Sequence, residues 1–390
     1  MKKIFLAVAM ASVAFSCSQK EPITVTVTNS LHIDREGEMV EVSMAEVSTR
    51  LQLPDTAQVV VLDENGMEVP SQITYDGMLI FPVSIKGNAS VVYTIAEGIP
   101  QPVEVSACGR QYPERLDDMA WENDRTAYRT YGPALQERGD RAFGYDIWTK
   151  SVSDMVVEDR YDGELNRHVS YHVDHGNGMD CYAVGPTLGG GTAALFPDST
   201  IVYPYCYKEC DILDNGPLRF TARLVYHPQV VKSDSAVVET RIISLDKGAQ
   251  LNKTVVSFEN LQETTPVVAG IVLHKQNPDG YGFDANAGYI AYADSTENAS
   301  NNNGVIYVGA VFPAHLKGAF TRLFSEEERK ERGGALGHVL ALSEYEPGSE
   351  YVYYWGSGWS KYGFETDTDW IGYLEKYAQQ VRNPLLVSVK

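Results

Sequence analysis

Residues 218–227 (LRFTARLVYH), 236–246 (AVVETRIISLD), 250–260 (QLNKTVVSFEN) and 265–274 (TPVVAGIVLH) decide the fold. Each is a long run dominated by Val, Ile, Leu, Thr and aromatic residues, and apolar side chains recur at every second position. That period belongs to a half-buried strand rather than to a helix. The breaks between runs hold Pro228, Asp234 and Gly248, and Asn260 ends the third run, all residues suited to turns. No helical pattern stands between one strand and the next, as an α/β fold would need. The expectation is a large antiparallel sandwich.

Working outward, 200–207 (TIVYPYCY) reads as one more strand, and 294–303 (DSTENASNNN) as a polar tip without periodicity. Two short helices are expected. One covers 324–332, with Ser325 as N-cap before three glutamates. The other covers 369–382, with Trp370, Ile371, Leu374, Tyr377, Ala378 and Val381 on one face and a stop at Asn383-Pro384. A final strand closes the chain at 385–389.

Before the sandwich, residues 23–105 contain five alternating runs: ITVTVTNS, MVEVSM, QVVVLDE, EVPSQITYDGMLIFPVSI and ASVVYTIAEG. Turns such as Asn65-Gly66 and Asp76-Gly77 separate strand from strand. They predict a small β-sandwich of its own, with little in it that suggests chemistry. The rhythm fades over 100–112, so the larger domain is expected from about Arg110 to Lys390.

The N-terminus reads as a targeting segment. Lys2-Lys3 precede an uncharged run ending at Ser16, and Cys17 follows at once. This order matches a bacterial lipoprotein signal over 1–17, with Cys17 lipidated and 18–22 as a tether. The expected location is the cell envelope, with membrane contact through the lipid only. The chain holds 32 basic and 52 acidic residues, a net charge of −20. That balance argues against nucleic acid as a partner. Cys108, Cys181, Cys206 and Cys210 include no CxxC pair, which disfavours a zinc ribbon.

Chemistry concentrates in 168–192 (HVSYHVDHGNGMDCYAVGPTLGGGT), where three of the eight histidines lie. Imidazoles and carboxylates on glycine-bent backbone suit proton transfer or metal binding. Two further stretches are dense in polar aromatics: 121–133 with 144–150, and 353–364 (YYWGSGWSKYGF). In the last, glycines beside Trp355 and Trp359 suggest close approach to a ligand, and indole rings suit the C–H faces of sugars.

These stretches, WENDRTAYRTYGPAL, GYDIWTK, SYHVDHGNGMDCYAVGPTLGGG and YVYYWGSGWSKYGF, resemble the lipoprotein family of domain of unknown function 4861. The resemblance covers about Arg110 to the C-terminus. It implies a Bacteroidetes setting beside polysaccharide-utilisation genes and a supersandwich similar to the galactose-mutarotase-like fold. It carries no settled reaction, so roles are read from residue chemistry.

The leading reading is a lyase that cleaves a uronic-acid-containing glycan by β-elimination. Arg125 and Arg129 would neutralise the substrate carboxylate. His172 or His175 would be the base, Tyr182 or Tyr131 the acid, with Asp180 orienting an imidazole. Trp148, Trp355, Trp359 and Lys361 would bind the sugar. A glycoside hydrolase would draw on Asp146, Glu122, Asp174 or Asp180. A mutarotase- or epimerase-like enzyme would need a His with a carboxylate, and a non-catalytic glycan-binding lipoprotein only the tryptophans. No cofactor is required. A divalent metal on His172, Asp174 and His175, with Asp180 in reach, is the remaining option.

Overall fold

A computed structural model describes residues 22–54, 56–295 and 301–390. The leader, Cys17, most of the tether and the centre of the polar loop lie outside the described residues. No helix among the described residues is long and apolar enough to cross a membrane.

The chain is mainly β, in antiparallel sheets. The deciding strands form a nine-stranded sheet. Its order is Tyr207–Asn215, Arg219–Tyr226, Asp234–Asp246, Leu251–Glu259, Tyr351–Trp359, Ile306–Val311, Tyr289–Asp294 and Tyr281–Asp284, with Gln229–Val231 paired off the path. Alternation does what the sequence implies. Along Asp234–Asp246, buried and half-buried residues alternate strictly from Val237 to the end. A four-stranded sheet (Gly190–Leu195, Thr265–Leu273, Gly337–Tyr345, Gly318–Leu323) faces it, and the main core lies between them. Strand Thr265–Leu273 is buried at nearly every position, as expected of a strand covered on both faces.

A third sheet (Ala107–Tyr112, Asp118–Asn123, Ala127–Thr130, Asp146–Trp148) packs at the side of this sandwich. Its middle strands are wholly buried. Met119, Trp121 and Tyr128 enter the main core, while Ala120, Ala127 and Trp148 meet Val157, Tyr161 and Tyr171 on the opposite side.

Residues 23–97 build two small sheets around a separate core that includes Val25, Val61, Phe81 and Ile95. The last strand of the chain, Leu386–Val389, joins this sheet by pairing with Ile23–Thr28. The C-terminus therefore belongs with the N-terminal strands, not with the large sandwich. A helix, Met44–Leu51, capped by Ser43, occupies ground that the alternating pattern left unassigned.

Two further differences have simple causes. The stretch 200–206 forms no strand, and pairing starts only at Tyr207. Pro204 lacks the N–H a ladder needs. The helix at Glu326–Glu331 keeps the expected Ser325 N-cap, which Glu328 completes as a capping box. The C-terminal helix, Asp367–Arg382, begins two residues early because Thr366 and Asp369 form their own capping box.

Candidate functional site

The register of the side sheet creates the site. Arg129 and Asp146 are direct cross-strand partners, so both side chains leave the sheet on one face. Asp180 bridges to Trp148, at the end of the Asp146 strand, which brings the histidine-bearing segment alongside. The guanidinium becomes a hub. Arg129 Nη2 donates to Asp146 Oδ2 at 2.5 Å and to Asp180 Oδ2 at 2.9 Å, and Nη1 stands 3.6 Å from Asp118 Oδ2. All four groups are buried. The Trp148 indole donates to Asp146 Oδ2 at 3.3 Å, and its ring lies 5.1 Å from the Arg129 guanidinium carbon.

Three carboxyls around one guanidinium cannot all stay ionised without further compensation. Burial, and next the charge of Asp146, push the Asp180 carboxyl up to about 8. Burial also raises Asp118, against the pull of Arg129 and Arg115. Burial works against the Arg129 charge, yet Asp146, Tyr131 and Asp180 hold its pKa well above the usual value. The cluster is a fixed cation beside a carboxyl that can carry a proton near neutral pH.

Two groups link it to solvent. His172 is exposed, and its Nδ1 lies 3.0 Å from the Asp180 carbonyl oxygen and 3.7 Å from Asp180 Oδ2. Tyr131 is half-buried and donates its phenol to Asp146 Oδ2 at 3.2 Å. Tyr182 is buried, and among the described residues its hydroxyl has no hydrogen-bond partner. Burial first, then Asp294, Tyr292, Asp146 and Tyr131, raise that phenol well above its ordinary pKa. Tyr182 thus lies between the hub and a second pair, His274 Nδ1 and Asp294 Oδ2, 2.6 Å apart. The Tyr182 and His274 rings are 6.1 Å apart.

Several expected site residues go elsewhere. His175 is exposed and its Nε2 meets Ser170 O at 3.0 Å, apart from the hub. Asp174 Oδ1 accepts the Gly176 and Gly178 N–H groups, stabilising its own turn. With His172 turned to Asp180, no chelate forms from His172, Asp174 and His175. Among the described residues no three His, Cys, Asp or Glu side chains are placed to hold a metal. Arg125 is exposed beside a cleft of about 10 Å³ that Lys150 and Trp359 also line, away from the aspartates. Lys361 is exposed, 5.5 Å from the Trp359 ring centroid, and its charge reaches Cys181 beside Asp180.

The tryptophans are core, not platforms. Trp355 is fully buried, stacked on Tyr145 at 3.8 Å, and donates to Thr254 Oγ1 at 2.8 Å. Trp359 is buried and donates to Asn303 O. The glycines between them serve packing: a Cβ on Gly356 would meet Gln250 O at 2.1 Å, and one on Gly358 would meet the Phe364 ring at 2.4 Å. Glu122 is likewise structural, since it ion-pairs with buried Lys150 at 2.6 Å and accepts the Val156 and Val157 N–H groups.

Sequence reading did not single out Asp118, or the His274–Asp294 pair. Both pair members sit at strand ends, His274 after Thr265–Leu273 and Asp294 at the end of Tyr289–Asp294. A polar residue closing an otherwise apolar strand was the available signal.

Known proteins resemble this chain in two ways. An uncharacterised protein of Formosa agariphila is 25% identical over 404 residues, covering 98% of each chain. Among solved structures, an α-mannosidase from Enterococcus faecalis matches with a TM-score of 0.50 at 9% identity, over 95% of this chain. A glycosyl hydrolase family 38 protein from the same organism gives 0.49 at 9% identity, also over 95% of this chain. This chain spans only 46% and 47% of those two proteins. The likeness to the α-mannosidase is one of fold alone. Residues 27–387 match the family described as Domain of unknown function (DUF4861), and the chain belongs to that family.

Proposed function

We propose that this chain is a carbohydrate-processing enzyme of the cell envelope whose acid–base centre is the Arg129 hub, acting on an acidic oligo- or polysaccharide. One observation carries the reading. A buried carboxyl raised toward neutral pH, Asp180, sits against an exposed imidazole, His172, at 3.7 Å. At that separation a proton passes by way of one bridging water rather than directly, and general acid–base catalysis is worth roughly 10²–10⁴-fold. The α-mannosidase likeness agrees with carbohydrate processing, although it is a likeness of fold.

The preferred reaction is β-elimination. His172 takes the proton from the carbon beside the substrate carboxylate, a C=C bond forms to the next ring carbon, and the glycosidic C–O bond on that carbon breaks to release the leaving sugar. Tyr131, on the solvent side of Asp146, supplies the proton to the departing oxygen. Arg129 is fully engaged by three aspartates, so the substrate carboxylate falls to Lys361. Glycan binding without turnover fits less well, because its tryptophan platforms are buried.

The test is incubation with acidic polysaccharides, following both ultraviolet absorbance of an unsaturated product and new reducing ends. Absorbance supports elimination. Reducing ends alone replace it with hydrolysis, and binding without either product overturns the enzyme reading. Lipidation at Cys17 is part of the same proposal. Cys17→Ala should release the protein into the soluble fraction, and unchanged membrane association rules out the lipid as its anchor.

A further inference from the structure

We propose a second binding site, for a neutral saccharide of one or two rings, on the outer face of the nine-stranded sheet beneath the helix Asp367–Arg382. A cavity of about 500 Å³ lies there, within the range of small-molecule sites.

The strand register explains why the space exists. Gly282 pairs with Ala291, and Ala293 pairs with Tyr307, so small side chains line the floor on one face. A Cβ on Gly282 would find only Ile371 Cδ1, at 3.7 Å. Alternation sends Ile290 and Tyr292 into the main core instead. It also sends Ala293 into the cavity and leaves Asp294 to bond His274 on the other side. The cavity is therefore separate from the Arg129 hub, and the proposal stands whether or not the proposed reaction does.

The lining sets the ligand class. Half-buried Tyr281 is the open aromatic wall, backed by buried Tyr307 and Trp370, the latter fixed by its indole N–H to Val308 O at 3.1 Å. Asn277, Asp279 and Asp367 bring polar groups, and among the described residues no Lys or Arg lines the space. The Asn277 amide N–H is taken by Ala293 O at 2.8 Å, which leaves its carbonyl oxygen to accept. Neither Asp279 nor Asp367 forms an ion pair among the described residues.

An anion would face two carboxylates with no cation to offset them. A purely apolar ligand would strip water from those carboxylates without replacing its hydrogen bonds. No three ligating side chains gather for a metal among the described residues. A neutral sugar meets every requirement: hydroxyl donors for the carboxylates and the Asn277 oxygen, and a C–H face for the Tyr281 ring.

Isothermal titration calorimetry on the full chain, with cellobiose, maltose, mannobiose and digalacturonate at millimolar concentration, tests this. At least one neutral disaccharide should bind. Gly282→Leu, which fills the floor, should abolish that binding without lowering Tm. Asp367→Asn, a milder change, should weaken it roughly tenfold. Asp180→Asn should leave the affinity intact, which separates this site from the proposed reaction centre. Silence from all three neutral sugars overturns the proposal. So does affinity unchanged in both Gly282→Leu and Asp367→Asn, or binding of digalacturonate alone.

Discussion

Arg129 and Asp146 are direct partners across two antiparallel strands, and a single Asp146 oxygen accepts from both guanidinium Nε (2.8 Å) and Nη2 (2.5 Å). The second Asp146 oxygen accepts the Ile147 N–H at 2.8 Å. The pair is thus locked from the backbone outward, and the charge of Asp146 is aimed at Asp180 rather than at solvent. Burial first, and then this charge, raise the Asp180 carboxyl to about 8.

Removing one partner should expose that arrangement. Arg129→Ala leaves Asp146 and its neighbours buried without a cation, which typically destabilises a fold by ~3–5 kcal/mol. Equilibrium denaturation in urea should show that loss. A change under ~1 kcal/mol would mean the aspartates protonate or reach water without difficulty, and the hub would lose its role.

The pH dependence has a definite sign. The Asp180 carboxyl is raised from 3.8 to about 8 in the folded chain. The folded state then binds the proton more tightly than the unfolded one, so its contribution is fully present below about pH 4. It is lost as pH climbs through about 8. Stability should therefore fall over that window, and Asp180→Asn should flatten the curve by removing the titrating group. A wild-type curve as flat as the variant's would show that Asp180 is ionised in the fold.

The fold was more legible than the site, for a physical reason. Strand alternation is local, so the sandwich follows from runs such as 236–246 alone. Convergence is not local. Asp180 meets Arg129 only because Trp148 bridges the two segments, and His274 meets Asp294 only because two facing sheets end side by side. Parity also fails where glycines bend the chain. Gly176 and Gly178 adopt φ of 97° and 98°, so spacing could not say that His172 turns inward while Asp174 and His175 do not. In 355–359 the same composition fits a sugar platform and a tight strand crossing, and only the Gly356 and Gly358 contacts separate them.

Trp355 offers a clear contrast between those two readings. It is fully buried and stacked face to face on Tyr145, with its N–H bonded to Thr254. Trp355→Ala should cost about 3–5 kcal/mol of stability, as large core truncations do. A sugar platform would instead lose affinity with Tm nearly unchanged, and calorimetric melting distinguishes the outcomes.

The two histidines of the central segment should behave differently. The His172 side chain is 58% exposed, so His172→Ala should leave Tm nearly unchanged. If the ring exchanges protons with substrate, turnover should fall by at least ~100-fold, with kcat falling more than KM rises. His175 bonds only the Ser170 carbonyl at the surface, so His175→Ala should alter turnover by less than roughly threefold, since one exposed hydrogen bond contributes little net energy. Measuring kcat, KM and Tm for both variants on the same acidic polysaccharide decides the matter. Equal loss in the two would move the chemistry off the Arg129 hub and onto the exposed turn. No loss in His172→Ala, with turnover still abolished in Asp180→Asn, would pass the proton-transfer role to Tyr131.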